Sequence, residues 1–435
     1  MKISYSKEME VRYTVDVLVI GGGPAGVAAA VSAARQGAKT MILEQTGSFG
    51  GAGTVAMVPE IMNFDDGEKF LAGGFGREIH DQLFPPCAYT REWRIADTEK
   101  LKRLYDSLLQ KAGVQFLLYS RVIDAVVKGK NVTHAIISGP EGCFAVAAKQ
   151  FIDCSGSAHF CMLAGCRTLY GDSNGVTMPA TLCSLWGNVD FEKFEVGQQG
   201  KHLEEAYEKG VLSQYDTVLP GMKPLHPACK IAGGNIGHAF GVDDRSAEAM
   251  SSAMVTSRKV LAEYETYYRT YVHGCEDAKL VRTADTLGIR ESRRAVCDFM
   301  LTQEYFYGAE PFADEIGRYS YPIDIHPMTA DASGMAGFTK SLTMRHEKGQ
   351  SYSIPYRCLV LRDMDNLLTA GRTVGTDRSM QASVRVIPGA YITGQAAGVA
   401  AALCVETGVS THDVSIRELQ RRLREIGAYL EVKTD

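Results

Sequence analysis

A mixed α/β fold organised around a parallel sheet is predicted by three observations near the start of the chain. Val17-Leu18-Val19-Ile20 runs straight into Gly21-Gly22-Gly23-Pro24-Ala25-Gly26, a helix of small residues follows, and a second apolar strand closes on an acid, Met41-Ile42-Leu43-Glu44. Four consecutive apolar residues read as a parallel strand buried on both faces. Gly21 permits the tight turn, Gly23 lets backbone approach a pyrophosphate, and Gly26 lets the helix sit close to the strand. The helix, roughly residues 25–36, carries Ala28, Ala29, Ala30, Ala33 and Ala34, so it packs closely on a sheet with its N-terminal amides aimed at phosphate. Gly37 ends it. Glu44 lies 18 residues past Gly26, at the end of strand 40–43, where a carboxylate accepts both ribose hydroxyls of an adenosine. A lone Gly-x-Gly-x-x-Gly would be compatible with an ordinary glycine-rich turn; strand, helix and acid together argue for a dinucleotide site.

The remaining elements follow in order. Gly47-Ser48-Phe49-Gly50-Gly51-Ala52-Gly53 is a second glycine-rich loop, able to run beside a cofactor with little side-chain hindrance. Leu101, Leu104, Tyr105, Leu108 and Leu109 have helical spacing and predict a helix over 97–112. Strands are expected at 115–119, 122–128, 131–138 and 143–153, with turn signals at 128–131 and 139–142, which describes a parallel strand followed by an antiparallel meander. Residues 171–344 carry no second nucleotide signature. Gly73-Gly74-Phe75-Gly76 and Gly233-Gly234-Asn235-Ile236-Gly237 lack a flanking strand and a correctly spaced acid, so no dedicated NAD(P) site is expected. A long helix is predicted over 245–272, in which Tyr264, Tyr267, Tyr268 and Tyr271 share a face and read as core or interface. Nucleotide-fold character returns with a strand running into Gly371-Arg372 and a small-residue helix at 388–403. The expected organisation is a split domain, 1–170 and 345–435, with a mixed α+β domain inserted at 171–344.

Bulk properties narrow the partners. At 435 residues the chain exceeds what one core usually serves, so two domains are expected. A formal net charge of −5 gives no support to a nucleic-acid or anionic-membrane surface and leaves small molecules as the expected partners. The 11 cysteines, among them Cys87, Cys143, Cys183 and Cys229, include no Cys-x-x-Cys pair, which argues against a disulfide scaffold, an iron–sulfur module and a dithiol centre, and for a reducing, cytoplasmic setting. Cys154, Cys161 and Cys166 sit among small residues and read as packed thiols rather than metal ligands; no metal is expected. The first twelve residues lack an apolar signal core. Residues 386–405 are free of charge but rich in alanine and glycine, which suits a helix buried in protein better than one in lipid. No membrane span is expected, and nothing reports on oligomeric state.

Taken together, the motifs resemble the FAD-dependent oxidoreductases of the glutathione-reductase-like superfamily, and more narrowly a family related to fumarate reductase flavoproteins. The matching pieces are residues 21–26 with Glu44, Asp153-Cys154-Ser155-Gly156, Gly288-Ile289-Arg290-Glu291-Ser292-Arg293-Arg294, Asp324-Ile325-His326, Ile354-Pro355-Tyr356-Arg357, the run 366–372, Arg385-Val386-Ile387-Pro388 and Gly394-Gln395-Ala396-Ala397-Gly398. The resemblance implies a Rossmann-like FAD-binding domain with FAD on Gly21, Gly23, Pro24, Ala25, Gly26, Glu44, Gln45, Gly50, Gly51, Val122, Ser155, Gly156, Gly371, Arg372, Pro388 and Ala390. It also implies the isoalloxazine under the helix beginning near Pro388, whose dipole would stabilise negative charge on the reduced ring. The second glycine loop holds no histidine, where covalent relatives carry one, so FAD is expected to be noncovalent. The relatives' Asp-Ala-Thr-Gly-Asp-Gly continues here as Ser157-Ala158-His159, losing an acid.

A flavin enzyme needs a group to move a proton, or cations to polarise a carboxylate or carbonyl. The family motifs place Arg290, Arg293, His326 and Arg385 in that role. Each has a plainer alternative: a salt-bridge cluster of Arg290 and Arg293 with Glu291 and Asp285, a packing role for His326, and FAD itself as the partner of Arg385. The function expected is hydride transfer between a small organic substrate and FAD, with electrons passing to an unidentified acceptor. The alternatives are a flavin-dependent hydroxylase or halogenase, disfavoured by Gly371-Arg372 in place of Gly-Asp and by the lack of Trp-x-Trp-x-Ile-Pro, and an FAD-binding partner in tRNA modification or a scaffold, disfavoured by the acidic charge.

Overall fold

A computed structural model describes residues 3, 6–86, 88–218, 221–308 and 310–432; Cys87 lies outside them. In chain order the elements that shape the site are β1 (Val11–Ile20), α1 (Pro24–Arg35), β2 (Thr40–Leu43), α2 (Thr98–Lys111), β3 (Gln115–Leu117), β4 (Arg121–Lys128), β5 (Asn131–Gly139), β6 (Gly142–Asp153), β7 (Ser184–Gly187), β8 (Gly221–His226), β9 (Ile231–Asn235), α3 (Ala247–Tyr271), β10 (Lys279–Thr283), β11 (Leu367–Thr369) and α4 (Ile387–Thr407). The main sheet has the order β3-β2-β1-β6-β5-β4, with β11 also on β6. This is a mixed α/β fold built on parallel strands.

β6 does two jobs. Its first half pairs antiparallel with β5, and Phe151, Ile152 and Asp153 pair in parallel with Leu367, Leu368 and Thr369, while β1 runs along its other edge. The registers Ile20 to Leu43, Leu43 to Leu117, Ile20 to Asp153 and Asp153 to Thr369 bring the carboxyl ends of the parallel strands level. The loops after Ile20, Leu43, Asp153 and Thr369 therefore open along one sheet edge, where α/β folds bind ligands. The expected strand at 115–119 stops at Leu117, because Tyr119 adopts φ 54° and leaves the extended region.

α4 lies against α1 with almost no side chain between them. A Cβ on Gly394 would fall on the carbonyl oxygen of Ala25, and one on Gly398 on that of Ala29. Tyr391, one turn earlier, meets Tyr105 of α2 hydroxyl to hydroxyl at 2.5 Å. α4 reaches a mean hydropathy of 1.2 over its most apolar window, and that window is wholly buried inside the protein. It is a core helix that runs past the end of its sequence signal to Thr407 and is ended by Gly408 at φ 72°.

The middle of the chain forms an antiparallel sheet in the order β8-β9-β7-β10, backed by α3. Ser246 caps α3, its hydroxyl accepting from Ala249 N. Tyr264, Tyr267 and Tyr268 are buried with Trp186 and Met222 in a cluster drawn from residues 180–287. Leu301, Ile316, Tyr319, Tyr321 and Ile323 instead join the cluster containing α1 and α4. The Gly233-Gly234 pair is strand, and a Cβ on Gly233 would come within 2.6 Å of Pro59, just past the second glycine loop.

The α1–α4 contact is testable. Gly398→Ala should lower the midpoint of urea unfolding, through overpacking that costs about 1–3 kcal/mol. Gly337→Ala, in a helix where a Cβ meets nothing within 4 Å, should raise it by up to about 1 kcal/mol. A Gly398→Ala protein as stable as the parent would refute this contact.

Candidate functional site

The first loop has three glycines with three environments. Gly21 takes φ 97° and a Cβ there would stand 2.5 Å from the Cys154 carbonyl oxygen, at the end of β6. A Cβ on Gly26 would fall on the Gly21 carbonyl, so α1 closes onto its own turn. Gly23 faces open space, with nothing within 4 Å of a Cβ. Steric pressure thus explains two of the three; the third borders room for a ligand above the first turn of α1, whose leading amides have no intrahelical acceptor.

Glu44 is buried at the rim of this space. Its Oε2 accepts from Gly22 N at 2.8 Å and its Oε1 from Thr46 N and Thr46 Oγ1, both at 2.8 Å. The carboxylate is therefore held in place with acceptor capacity left only on Oε2. Gly50 N donates to Gly22 O at 2.7 Å, and a Cβ on Gly51 would lie 3.3 Å from Gly23 Cα, so the second glycine loop is folded onto the first. Gly371 arrives from the C-terminal side, where a Cβ would stand 2.9 Å from that of Ala25 and 3.9 Å from that of Ala390. Gln45 is exposed beside Glu44, and Val122 is buried in β4.

Ser155 and Gly156 follow β6. Asp153 is fully buried and turns inward, accepting from Ser155 N at 2.9 Å and Cys161 N at 2.8 Å, so it organises this loop. Arg372 crosses over it, donating from Nε to Gly156 O at 2.6 Å and from Nη1 to Ile289 O. Burial pushes this guanidinium down to about 10, with Asp244 acting in the opposite sense.

Beyond Arg372 lies a cavity of about 310 Å³. Ala52 and Met62 line it from the second glycine loop and its exit, Arg290 and Cys183 from the middle of the chain, and Arg372, Arg385, Val386 and Ile387 from the segment leading into α4. α4 begins here with Val386 as its cap and no side-chain capping bond, and Pro388 in its first turn. Tyr321, Asp324 and His326 line it as well, with Lys223 and Asn235 among the other polar residues.

Three of the four residues placed here from sequence meet in this cavity. Arg290 donates from Nη1 to Pro179 O and Thr181 Oγ1, at 2.9 and 2.8 Å; burial, then Arg385, pushes it down to about 10. Arg385 donates from Nη2 to Asp324 O and Oδ2, each at 3.2 Å, and its Nε is buried without a partner. His326 stands with Nε2 3.3 Å from Asp324 Oδ2; burial, then Arg290, pushes it down to about 3. Burial works against the charge on Asp324, but His326, Arg385 and Arg290 outweigh it and hold the carboxyl well below the usual range. Arg293 does not line the cavity: it sits in a short strand, Arg293–Ala295, paired with Tyr170.

The salt-bridge cluster expected around Glu291 exists with other members. Glu291, 1% exposed, accepts from Arg294 Nη1 and Arg378 Nη2, both at 2.9 Å, and from Met178 N at 2.8 Å. Arg294, not Arg293, points inward because successive strand residues face opposite ways. Asp285 pairs with Arg282 instead.

Sequence reasoning missed His238 and Asp216. His238 Nε2 lies 2.8 Å from His326 Nδ1, and His238 Nδ1 lies 2.9 Å from Asp216 Oδ2; all three side chains are buried. Nothing in the spacing announces the pair, since 88 residues separate the histidines. Tyr321, whose hydroxyl donates to Asp324 Oδ2 at 3.0 Å, was equally silent.

Comparison with known proteins completes the description. A sequence profile of FAD dependent oxidoreductases matches residues 16–423. The glutathione reductase of Yarrowia lipolytica is 35% identical over 112 residues, 23% of this chain and 23% of its own. The thiamine thiazole synthase of Pyrococcus abyssi is 29% identical over 136 residues, 31% of this chain and 51% of its own. The matches thus span about half or less of these curated relatives. Among solved structures, a geranylgeranyl bacteriochlorophyll reductase-like protein from Thermoplasma acidophilum aligns over 95% of this chain and 83% of its own, with TM-score 0.49 and 16% identity.

The buried histidines set a pH dependence. His346, packed against Phe306 with ring centroids 4.2 Å apart, is pushed down to about 4 by burial, then by Arg91 and Arg318. Its folded value lies below the unfolded value of about 6.5, so its contribution is complete above pH 6.5 and is lost as pH falls toward 4. His346→Leu should remove up to about 1.4 kcal/mol per pH unit from the slope of unfolding free energy between pH 6.5 and 5. An unchanged slope in urea titrations would show that His346 is protonated in the folded protein.

Proposed function

The chain belongs to the FAD-dependent oxidoreductases and uses FAD as its cofactor, and we propose from that premise that it transfers a hydride between a small organic substrate and noncovalently bound FAD, passing the electrons to a separate acceptor. The observation that carries this reading is the cavity where Arg290, Arg385, Asp324 and His326 converge at the start of α4, at the far end of the glycine loops from Glu44. The open space at Gly23 fits a pyrophosphate, and the loops at Gly50, Gly51 and Gly371 pack closely around it. When bound, FAD supplies a carrier that takes up or returns a hydride.

The residues of the chain do the rest. Three guanidinium groups, those of Arg290, Arg372 and Arg385, and the Lys223 ammonium line the cavity with one carboxylate, Asp324, so it favours a substrate oxygen that gains negative charge as it reacts, and the amide end of α4 adds to that field. The unpartnered Arg385 Nε is a donor held ready in a buried place. His326, neutral at pH 7 because burial and Arg290 oppose its charging, is suited to accept a proton.

A glutathione-reductase type domain at 1–170 and 345–435 is supported by β11 on β6 and by α4 on α1, and a cap at 171–344 by the separate cluster of residues 180–287, while Leu301 to Ile323 pack with α1 and α4. The cap would cover the cavity through Arg290, and Arg372 would tie it to the cofactor domain through Ile289 O.

Purified protein should be yellow and should release intact FAD on heating or acidification, and Gly23→Val should lose FAD while remaining folded. Flavin that stays on the denatured chain overturns the noncovalent reading; normal flavin content in the variant overturns the cradle. With a substrate found by anaerobic flavin bleaching, His326→Ala and Arg290→Ala should keep a full FAD complement and reduce flavin about 10²–10³-fold more slowly. Parent rates in both variants would remove them from the reaction.

A further inference from the structure

Four ring nitrogens and two carboxylates lie in one buried line: Asp216 Oδ2, His238 Nδ1, His238 Nε2, His326 Nδ1, His326 Nε2 and Asp324 Oδ2, with successive contacts of 2.9, 2.8 and 3.3 Å across the three gaps. Two neutral imidazoles bring two ring protons, and three gaps cannot share two protons equally. The two short gaps are the ones that hold them. His238 then donates from Nδ1 to Asp216, His326 donates from Nδ1 to His238 Nε2, and His326 Nε2 is left with a lone pair at the cavity. Asp324 does not need that nitrogen, since Tyr321 and Arg385 already donate to its Oδ2.

Phe240 packs on His238 at 5.6 Å and Phe338 on His326 at 5.1 Å, and burial with Arg290 opposes a charge on either ring and outweighs the carboxylates Asp216 and Asp324 at the two ends of the line, which favour one. Asp216 Oδ2 also accepts from His238 N at 2.9 Å, and Oδ1 from Val218 N at 3.2 Å, so its position is fixed by backbone as well as by the ring.

We propose that Asp216 and His238 form a relay that stores the proton His326 removes from substrate. As the substrate proton bonds to His326 Nε2, the Nδ1 proton of that ring passes to His238 Nε2, and the Nδ1 proton of His238 passes to Asp216. Substrate loses one proton, Asp216 changes from carboxylate to carboxylic acid, both rings stay neutral and only their tautomers change, while the electron pair leaves with the hydride that FAD takes up. His238 and Asp216 touch no reacting atom; they are positioning residues that act through His326. The relay rests on the reading of His326 as the proton acceptor.

Two measurements test it. In the unmutated FAD-loaded protein at pH 7, ¹⁵N spectra of the histidine rings, assigned by loss of signals in His238→Gln and His326→Gln, should show both rings protonated at Nδ1 and bare at Nε2. A ring protonated at Nε2, or on both nitrogens, overturns the relay without any assay of activity. In flavin reduction by the substrate found through bleaching, Asp216→Asn, whose amide cannot take up a proton, should be about 10²-fold slower with unchanged FAD content and KM. Slow His326→Ala with Asp216→Asn at the parent rate would discard the relay and keep the cavity as the site; parent rates in both would discard the site itself. Should Asp216→Asn fail to fold, the ring spectra of the parent protein decide alone.

Discussion

Everything at the ligand-binding edge depends on how closely α4 can lie on α1. Only glycine at 394 and 398 lets the carbonyls of Ala25 and Ala29 come so near, and this approach sets where α4 begins. The beginning of α4 in turn fixes Arg385, Val386 and Ile387 in the cavity wall, and it holds Gly371 against Ala25. A side chain at either contact would lift the helix from the sheet edge, and the cavity would lose one wall. Segments from the two ends of the sequence thereby make one site.

The cavity also shows why its charges are arranged as they are. An isolated buried guanidinium is costly, and each one here has neutral or charged acceptors: Arg290 takes a carbonyl and a hydroxyl, Arg372 two carbonyls, Arg385 the Asp324 carboxylate. Asp324 stays ionised although it is buried, because Tyr321 and Arg385 donate to it and Arg290 lies near. Outside the cavity wall, Glu291 is the acceptor that Arg294 and Arg378 share.

What was legible in the sequence was what local sterics dictate. The turn at Gly21, the strand ending at Glu44, the meander and the long helix at 247–271 each follow from residues adjacent in the chain, and their bounds moved by only a few positions, as at Tyr119, where one left-handed residue cut a strand short. Arg290, His326 and Arg385 were found through family motifs, and they do share a wall. Arg293 was not distinguishable from Arg294, because alternation along a strand is invisible until the strand is known to exist. His238 and Asp216 had no local signal at all: each sits in an unremarked loop, and only the docking of the 180–287 cluster brings them to His326.

The double pairing of β6 bears on how this chain must assemble. Phe151, Ile152 and Asp153 present a hydrogen-bonding edge whose partner, β11, is made more than 200 residues later. Throughout synthesis of the intervening segment that edge is open, next to the apolar end of β1, Val17 to Ile20, and open edges of this kind can pair with other chains. Most of the pairing that closes the sheet is therefore of high contact order, and the last step is the return of the C-terminal segment to a sheet built long before. Any stall or truncation ahead of residue 367 leaves a polypeptide with a glycine-lined nucleotide cradle, a bare strand edge and no α4 to cover it, which makes such fragments substrates for chaperones rather than smaller versions of the protein.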